Sequence, residues 1–132
     1  MKLLIADDSD AKIMMLEGMT NKAQFPAEIL IAKTTEEAIA LIHKHPDIAF
    51  GLIDYEIPSA QGPVVISALK KKNPKSHVVL CSAYCKDQYV EEALSAGAEA
   101  AICTSEGMEE MEEEMEELLQ TWKQKIENGH VQ

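Results

Sequence analysis

Five short apolar runs, each followed by a segment with helical spacing, constrain the fold of this chain more than any other feature. The predicted strands are 3–6, 28–32, 48–53, 77–81 and 100–103. Each run is too short for a helix, whereas the segments between them repeat their apolar residues at helical intervals. This alternation predicts parallel β-α-β units with right-handed crossovers. The expected architecture is a doubly wound α/β domain with a parallel sheet of order 2-1-3-4-5.

Capping and breaking residues predict where the helices begin and end. Asp10 is expected to cap the first helix, and Thr34 or Thr35 the second. The third and fourth helices are predicted over 64–72 and 87–96. A long acidic helix is expected over about 106–127, so residues 1–127 would form one domain followed by a disordered tail at 128–132.

Charge and composition exclude some classes of partner. The formal net charge is −11 and the chain has no arginine, so it offers no basic face for nucleic acid. No apolar stretch approaches the roughly 20 residues that span a bilayer, and no secretory leader opens the chain. We therefore expect a cytoplasmic protein without membrane contacts. Cys81, Cys85 and Cys103 lack metal-ligand spacing, and the two that lie in apolar runs, Cys81 and Cys103, are expected to be buried reduced thiols.

Acidic and hydroxyl side chains follow three of the predicted strands. Asp7 and Asp8 follow the first, Asp54 the third and Ser82 the fourth. A single acid after a strand is commonly only a turn or a cap, but the first and third strands are neighbours in the expected sheet. Three carboxylates that meet there raise one another's pKa unless a cation is present, and Mg²⁺ prefers such oxygen ligands. One carboxylate could then act as a nucleophile towards a phosphoryl group, with Ser82 donating a hydrogen bond to it.

With these motifs the chain resembles the receiver domain of response regulators. That family opens with an apolar strand and an acidic pair, as residues 3–9 do, and ends its fourth strand with Ser-Ala or Thr-Ala. The spacing around its acceptor aspartate and the Gly-Ala before its fifth strand are reproduced by Asp54, Ile57, Pro58, Gly62 and Gly97-Ala98. The resemblance covers residues 1 to about 126 and implies a flavodoxin-like (βα)5 fold.

The resemblance also implies a function in two-component signalling. Asp54 would accept a phosphoryl group from a phosphohistidine on a sensor histidine kinase or phosphotransfer protein. Asp8, Asp54 and the main-chain carbonyl of Glu56 would ligate Mg²⁺, Asp7 would act through a metal-bound water, and Ser82 would contact the phosphate. The domain would not be an enzyme in its own right. It would signal through protein contacts on its fourth helix, fifth strand and fifth helix.

The sequence departs from the family at the fifth strand. The family's lysine falls on Thr104, which can donate a hydrogen bond but carries no charge, and its aromatic residue falls on Ala101. Lys86 is another source of charge, although a lysine there is typical of a solvated surface, and the other lysines are expected to be solvated too. Two functions remain open: a phosphoacceptor with nonstandard output, and a degenerate receiver that binds its partner without phosphorylation. The intact acids and Ser82 favour the first.

Two other classes of protein agree less well with the residues that follow the first strand. A nucleotide-binding or anion-binding protein of this architecture needs a glycine-rich turn there, where acids stand instead. A metal-dependent phosphatase needs two aspartates separated by one residue, whereas Asp7 and Asp8 are adjacent.

The last helix has two interpretations. Apolar residues recur at heptad spacing at Met108, Met111, Met115, Leu118 and Trp122. This stripe would cover the sheet, as in any doubly wound domain. Alternatively its far end, with Trp122 and Ile126, would extend beyond the sheet and form a homodimer.

Overall fold

A computed structural model describes residues 1–105 and 107–129, and its centre is a parallel sheet of five strands. The strands are β1 (Lys2–Ala6), β2 (Glu28–Ala32), β3 (Ile48–Ile53), β4 (His77–Ser82) and β5 (Ala100–Cys103). They lie in the order β2-β1-β3-β4-β5, and each neighbouring pair is parallel. The predicted doubly wound architecture and strand order are confirmed.

Five helices connect and flank these strands. They are α1 (Asp10–Lys22), α2 (Thr35–Lys44), α3 (Gly62–Lys72), α4 (Asp87–Ala96) and α5 (Met108–Glu127). The N-cap of α1 is Ser9, whose hydroxyl accepts the Lys12 N–H at 3.3 Å, and not Asp10 as predicted. Helix α3 begins at Gly62, before the predicted Val64, because Pro63 suits the first helical turn.

The sheet buries apolar side chains on both faces, as the continuous apolar runs predict for parallel strands. Leu4 and Ile53 face a core shared with α2, α3 and α4. Leu3 and Phe50 face a second core that is closed by α1 and α5. Successive residues of a strand point to opposite faces, so one strand serves both cores.

Helix α5 packs through a different stripe from the predicted heptad. Met108 is 61% exposed and Leu118 is only partly buried. The spacing of the buried residues follows the 3.6-residue period of a straight helix rather than the 3.5 of a coiled coil. The buried residues are Met111, Met115, Leu119 and Trp122.

Trp122 is fully buried, which corrects the predicted extension of this helix beyond the sheet. Its ring centroid lies 4.9 Å from that of Phe50 and 6.3 Å from that of Phe25. The indole therefore belongs to the core, and the structural reason for a homodimer through α5 disappears.

The predicted end of the chain is described only in part. Asn128 and Gly129 form a turn after α5. Glu106 and residues 130–132, which include most of the predicted disordered tail, lie outside the described residues. Within the described part of the chain, no helix combines the length and apolar character needed to cross a membrane.

Candidate functional site

The carboxyl ends of β1 and β3 bring three aspartates together. One carboxylate oxygen from each of Asp7, Asp8 and Asp54 lies within 4.8 Å of the others. The Asp54 N–H donates to the main-chain oxygen of Ala6 at 2.9 Å, so the two strands end side by side. The structure thus unites the three acids that follow two different strands in the sequence.

The three acids have different surroundings. Asp7 is 1% exposed, and its Oδ1 accepts the N–H of Ser9 at 3.0 Å. Asp8 is exposed, whereas the side chain of Asp54 is 12% exposed and its Oδ1 accepts the Tyr55 N–H at 2.9 Å. Burial raises the pKa of Asp54, Lys12 partly opposes this, and repulsion from Asp7 adds to it. The net result is a pKa above the usual value, so the metal-free site disfavours a charged Asp54.

A lysine that sequence reasoning placed on the solvated surface lies among these acids. Lys12 Nζ is 2.9 Å from Asp7 Oδ2 and 3.2 Å from Asp54 Oδ1. It also donates to the main-chain oxygen of Cys81 at 2.5 Å. Burial alone would lower the pKa of Lys12, but its contact with Asp7 and the charge of Asp54 raise it above the usual value.

One signal in the sequence could have identified this lysine. Lys12 stands in the first turn of α1, where the helix dipole disfavours a cation by about 0.3–1 kcal/mol. Such a position is favourable only when carboxylates lie close, and Asp7 and Asp8 immediately precede this helix.

The donor set fits a divalent cation. Asp7 Oδ2 is buried and lies 2.9 Å from the Lys12 ammonium, which offsets part of the negative charge of the cluster. A divalent cation would offset the rest. Three carboxylates against one ammonium leave two net negative charges, which suit Mg²⁺. Glu56, the source of a predicted carbonyl ligand, follows β3 and has an exposed side chain.

The loop after β3 is packed closely against the main chain of Asp54. A Cβ at Gly62 would lie 2.1 Å from the Asp54 main-chain oxygen, so a larger residue requires the backbone to move. Ile57, within this loop, is buried, and the main-chain oxygen of Pro58 accepts the Thr35 N–H at 3.2 Å. The spacing from Asp54 to Gly62 therefore has a steric cause.

Ser82 and Thr104 lie beside each other at the ends of β4 and β5. The Thr104 N–H donates to the Ser82 main-chain oxygen at 3.0 Å. Ser82 is 3% exposed, and Ala101 pairs with Leu80 in the sheet. A threonine and a methyl group thus occupy the positions that the resemblance assigns to a lysine and an aromatic ring.

Lys86 does not contact the acids. Its Nζ lies 5.3 Å from the centroid of the Tyr89 ring, on α4. The alternative source of positive charge considered from the sequence is therefore directed elsewhere.

The prediction of a buried reduced thiol is confirmed for Cys81 and is wrong for Cys103. Cys85, between β4 and α4, forms a disulfide with Cys103 at the end of β5, with the two Cα atoms 5.7 Å apart. Parallel neighbouring strands bring their carboxyl ends together, which a separation of 18 residues does not reveal. Cys81 is free and buried, and burial raises the pKa of its thiol to about 12.

Comparisons with known proteins agree with this geometry. Residues 3–120 match the model of the response regulator receiver domain. The chain is 29% identical to the chemotaxis protein CheY of Thermotoga maritima over 101 residues, which cover 76% of this chain and 82% of that protein. It is 26% identical to the glycerol metabolism activator of Pseudomonas putida over 118 residues, which cover 89% of this chain and 53% of the activator. The chain therefore spans about half the length of that activator.

A solved structure extends the likeness. In the CheX–CheY–BeF3–Mg²⁺ complex from Borrelia burgdorferi, one chain is 27% identical and superposes with a TM-score of 0.69, covering 77% of this chain and 76% of that one. The family model covers most of this sequence, and the strand order and the acid cluster agree with it. The chain belongs to the response regulator receiver domain family of two-component signal transduction.

Proposed function

We propose that Asp54 of this receiver domain accepts a phosphoryl group from a phosphohistidine. The observation that carries the proposal is the position of Asp54 at the end of β3, within reach of Asp7 and Asp8. A sensor histidine kinase or a phosphotransfer protein would supply the phosphoryl group, and phosphorylation would change the contacts of the domain with a downstream protein.

The transfer requires an open carboxylate oxygen. Within the described chain, the contacts of Asp54 with Lys12 and with the Tyr55 N–H fall on Oδ1, which leaves Oδ2 for attack on phosphorus. The phosphorus–nitrogen bond of the donor breaks as the new oxygen–phosphorus bond forms. The donor ring keeps the electron pair and, with a proton on its other nitrogen, leaves as neutral imidazole. Asp54 then carries an acyl phosphate.

The neighbouring acids would hold Mg²⁺. Asp8, Asp54 and the main-chain carbonyl of Glu56 would bind it directly, and Asp7 through a water. When bound, Mg²⁺ supplies positive charge that reduces repulsion between the carboxylates and the incoming phosphoryl oxygens. Calorimetric titration of the protein with Mg²⁺ tests this assignment, and Asp8→Asn should weaken the binding.

Two hydroxyl side chains would bind the phosphoryl oxygens on the other side of Asp54. Ser82 would donate a hydrogen bond, and Thr104, at the position of the family lysine, would donate a second. Their main chains are joined at 3.0 Å, which keeps both residues at the same edge of the sheet. Ser82→Ala should slow phosphorylation while leaving Mg²⁺ affinity unchanged.

The surface made by α4, β5 and α5 is the proposed contact with the downstream protein. Leu94 on α4 is 47% exposed, and Met108 on α5 is 61% exposed. Large exposed apolar side chains are common at protein interfaces. This surface lies next to Thr104, so a change at the phosphorylation site has a short path to it.

Intact-mass spectrometry after incubation with acetyl phosphate and Mg²⁺ tests the acceptor. We expect one phosphoryl adduct on the wild-type protein and none on Asp54→Asn. Asp10→Asn is a matched control, because Asp10 lies near the site but pairs with Lys33 on the surface. It should be phosphorylated like the wild type.

Two results would contradict the proposal. An adduct that persists in Asp54→Asn would move the acceptor to another residue. No adduct with acetyl phosphate, phosphoramidate or a phosphorylated histidine protein would leave a domain that binds its partner without phosphorylation.

A further inference from the structure

We propose that Lys12, in the first turn of α1, supplies the positive charge to the phosphoryl group that the family otherwise takes from a lysine after β5. The inference rests on the proposed function of Asp54. Position 104 is a threonine in this chain, so without another cation the phosphoryl oxygens would meet only hydroxyl groups on this side.

The position of the ammonium group supports this role. Its three partners, Asp7, Asp54 and the main-chain oxygen of Cys81, stand at the ends of β1, β3 and β4. Lys12 Nζ therefore reaches past Asp54 towards β4, where Cys81 directly precedes Ser82. That is the side on which the proposed phosphoryl contacts lie.

Among the described residues, no other lysine is placed to do this. All 12 lysines fall within those residues and the chain has no arginine, and Lys12 is the lysine whose ion pairs involve an acid of the cluster. Lys86 lies over Tyr89 instead, and Lys70 donates to the main-chain oxygens of Pro74 and Ser76.

The side chain of Lys12 is also held where it stands. It is 11% exposed, although lysines are mostly solvated, and it occupies a helix terminus that disfavours cations. The two carboxylates and the Cys81 carbonyl offset these costs. An incoming phosphoryl group would add negative charge next to the ammonium without requiring it to travel far, which is how preorganised charges stabilise phosphoryl transfer.

A competing explanation is that Lys12 merely occupies the metal position and leaves when Mg²⁺ binds. The two explanations differ in what removal of the charge does. If Lys12 is only a placeholder, Lys12→Gln should bind Mg²⁺ more tightly and accept a phosphoryl group as fast as the wild type or faster. If Lys12 contacts the phosphoryl group, the variant should bind Mg²⁺ more tightly but accept it more slowly.

The experiment measures both quantities on the full chain. For Lys12→Gln we expect Mg²⁺ affinity, by calorimetry, to rise about tenfold, because a competing charge is gone. We expect the rate of phosphorylation by acetyl phosphate at saturating Mg²⁺ to fall at least about tenfold. Lys33→Gln is the control, since Lys33 is a half-exposed lysine that pairs with Asp10 outside the cluster. It should change neither quantity.

A second variant restores the charge from the family's own position. Thr104→Lys in the Lys12→Gln background should recover most of the lost rate, whereas simple damage to the fold would not be repaired by a substitution just after β5. An unchanged or faster rate in Lys12→Gln would overturn the inference while the proposed function stands. A wild-type protein that forms no adduct would overturn the proposed function first.

A measurement on the wild type alone covers the case in which Lys12→Gln does not fold. Beryllofluoride with Mg²⁺ mimics a phosphorylated Asp54, and the side-chain ammonium of a buried lysine can be followed by NMR. The Lys12 ammonium signal should shift and stay protected from exchange with water. Loss of the signal would mean that the ammonium has moved into solvent, which contradicts the role.

Discussion

The two sides of the carboxyl edge of this sheet differ in how far they keep the family pattern. On the β1–β3 side, Asp7, Asp8 and Asp54 meet as the resemblance implies, and Gly62 closes the loop against Asp54. On the β4–β5 side, a threonine replaces the lysine, an alanine replaces the aromatic ring, and a disulfide joins the β4–α4 loop to β5. The acid side would carry out the chemistry, so its residues are constrained by it. The other side would transmit the result, and it departs from the pattern that the resemblance implies.

Reduction of the disulfide should have the largest effect on stability and should leave the acid side intact. The Cys85–Cys103 bond closes a loop of 18 residues, and a loop of this size stabilises a fold by about 3 kcal/mol in the chain-entropy model. Urea unfolding with and without dithiothreitol measures the difference, and Mg²⁺ affinity should be equal in both states.

The control is the Cys85→Ser, Cys103→Ser double variant, which should not respond to dithiothreitol. Titration should find one free thiol in the oxidised wild type under denaturing conditions, that of Cys81. Three free thiols would show that the bond does not form, and the two sides would then differ less than the structure indicates.

Gly62→Ala should lower the free energy of unfolding by less than reduction of the disulfide does, and it should disturb the acid side. The added Cβ would stand 2.1 Å from the Asp54 main-chain oxygen, so the loop must shift. Overpacking of this kind costs about 1–3 kcal/mol, and the shift should also weaken Mg²⁺ binding. Gly18→Ala is the matched control, because a Cβ there meets nothing within 4 Å. Since Gly18 lies inside α1, that change should stabilise the protein by about 0.5–1 kcal/mol. Equal Mg²⁺ affinity in both variants would contradict the steric account of the loop.

Asp54→Asn should have the smallest effect on the free energy of unfolding. Unlike the other two changes, it should raise this free energy. Burial and repulsion from Asp7 raise the pKa of Asp54, so its native state favours the protonated carboxyl. That stability is present below the unfolded pKa, roughly 3.9, and is lost as pH rises through the higher native pKa. In metal-free buffer at pH 7, the asparagine variant should therefore unfold at a higher urea concentration than the wild type.

The stability that Asp54→Asn gains over the wild type should shrink towards pH 4. Saturating Mg²⁺ should reverse the difference, because it stabilises the wild type. A variant that is less stable than the wild type at pH 7 without metal would mean that the attraction of Lys12 outweighs burial at this position.

Much of the fold follows from local patterns in the sequence. The strand bounds of β2, β3 and β5 agree with the apolar runs. The reason is clearest for β3, which is buried along its whole length and therefore needs an uninterrupted apolar stretch. The meeting of Asp7 and Asp8 with Asp54 follows from the strand order. Helix α4 begins and ends where predicted, since Gly97 adopts the left-handed conformation that ends a helix.

The local pattern was misleading in α5, where a heptad repeat of 3.5 residues and the helical period of 3.6 residues are hard to tell apart. Leucines stand at both 118 and 119; the heptad predicts that Leu118 is buried, whereas the period of a straight helix predicts Leu119. The choice depends on the sheet against which α5 packs, where Leu119 and Trp122 are buried. For Trp122 the sequence left two positions open, in the core or beyond the sheet, and its contact with Phe50 shows that it lies in the core.

Local sequence patterns are enough to predict the alternation of strands and helices and the edge at which the acids meet, and they show that position 104 is not a lysine. The tertiary structure was needed to show that Lys12, which the sequence puts near Asp7 and Asp8, also reaches Asp54 and Cys81, and to show which cysteines pair. The physical reason is distance along the chain. Lys12 and Cys81 are 69 residues apart and Cys85 and Cys103 are 18 apart, and neither contact leaves a trace in local spacing. Such contacts exist only after the sheet has set its strand ends side by side.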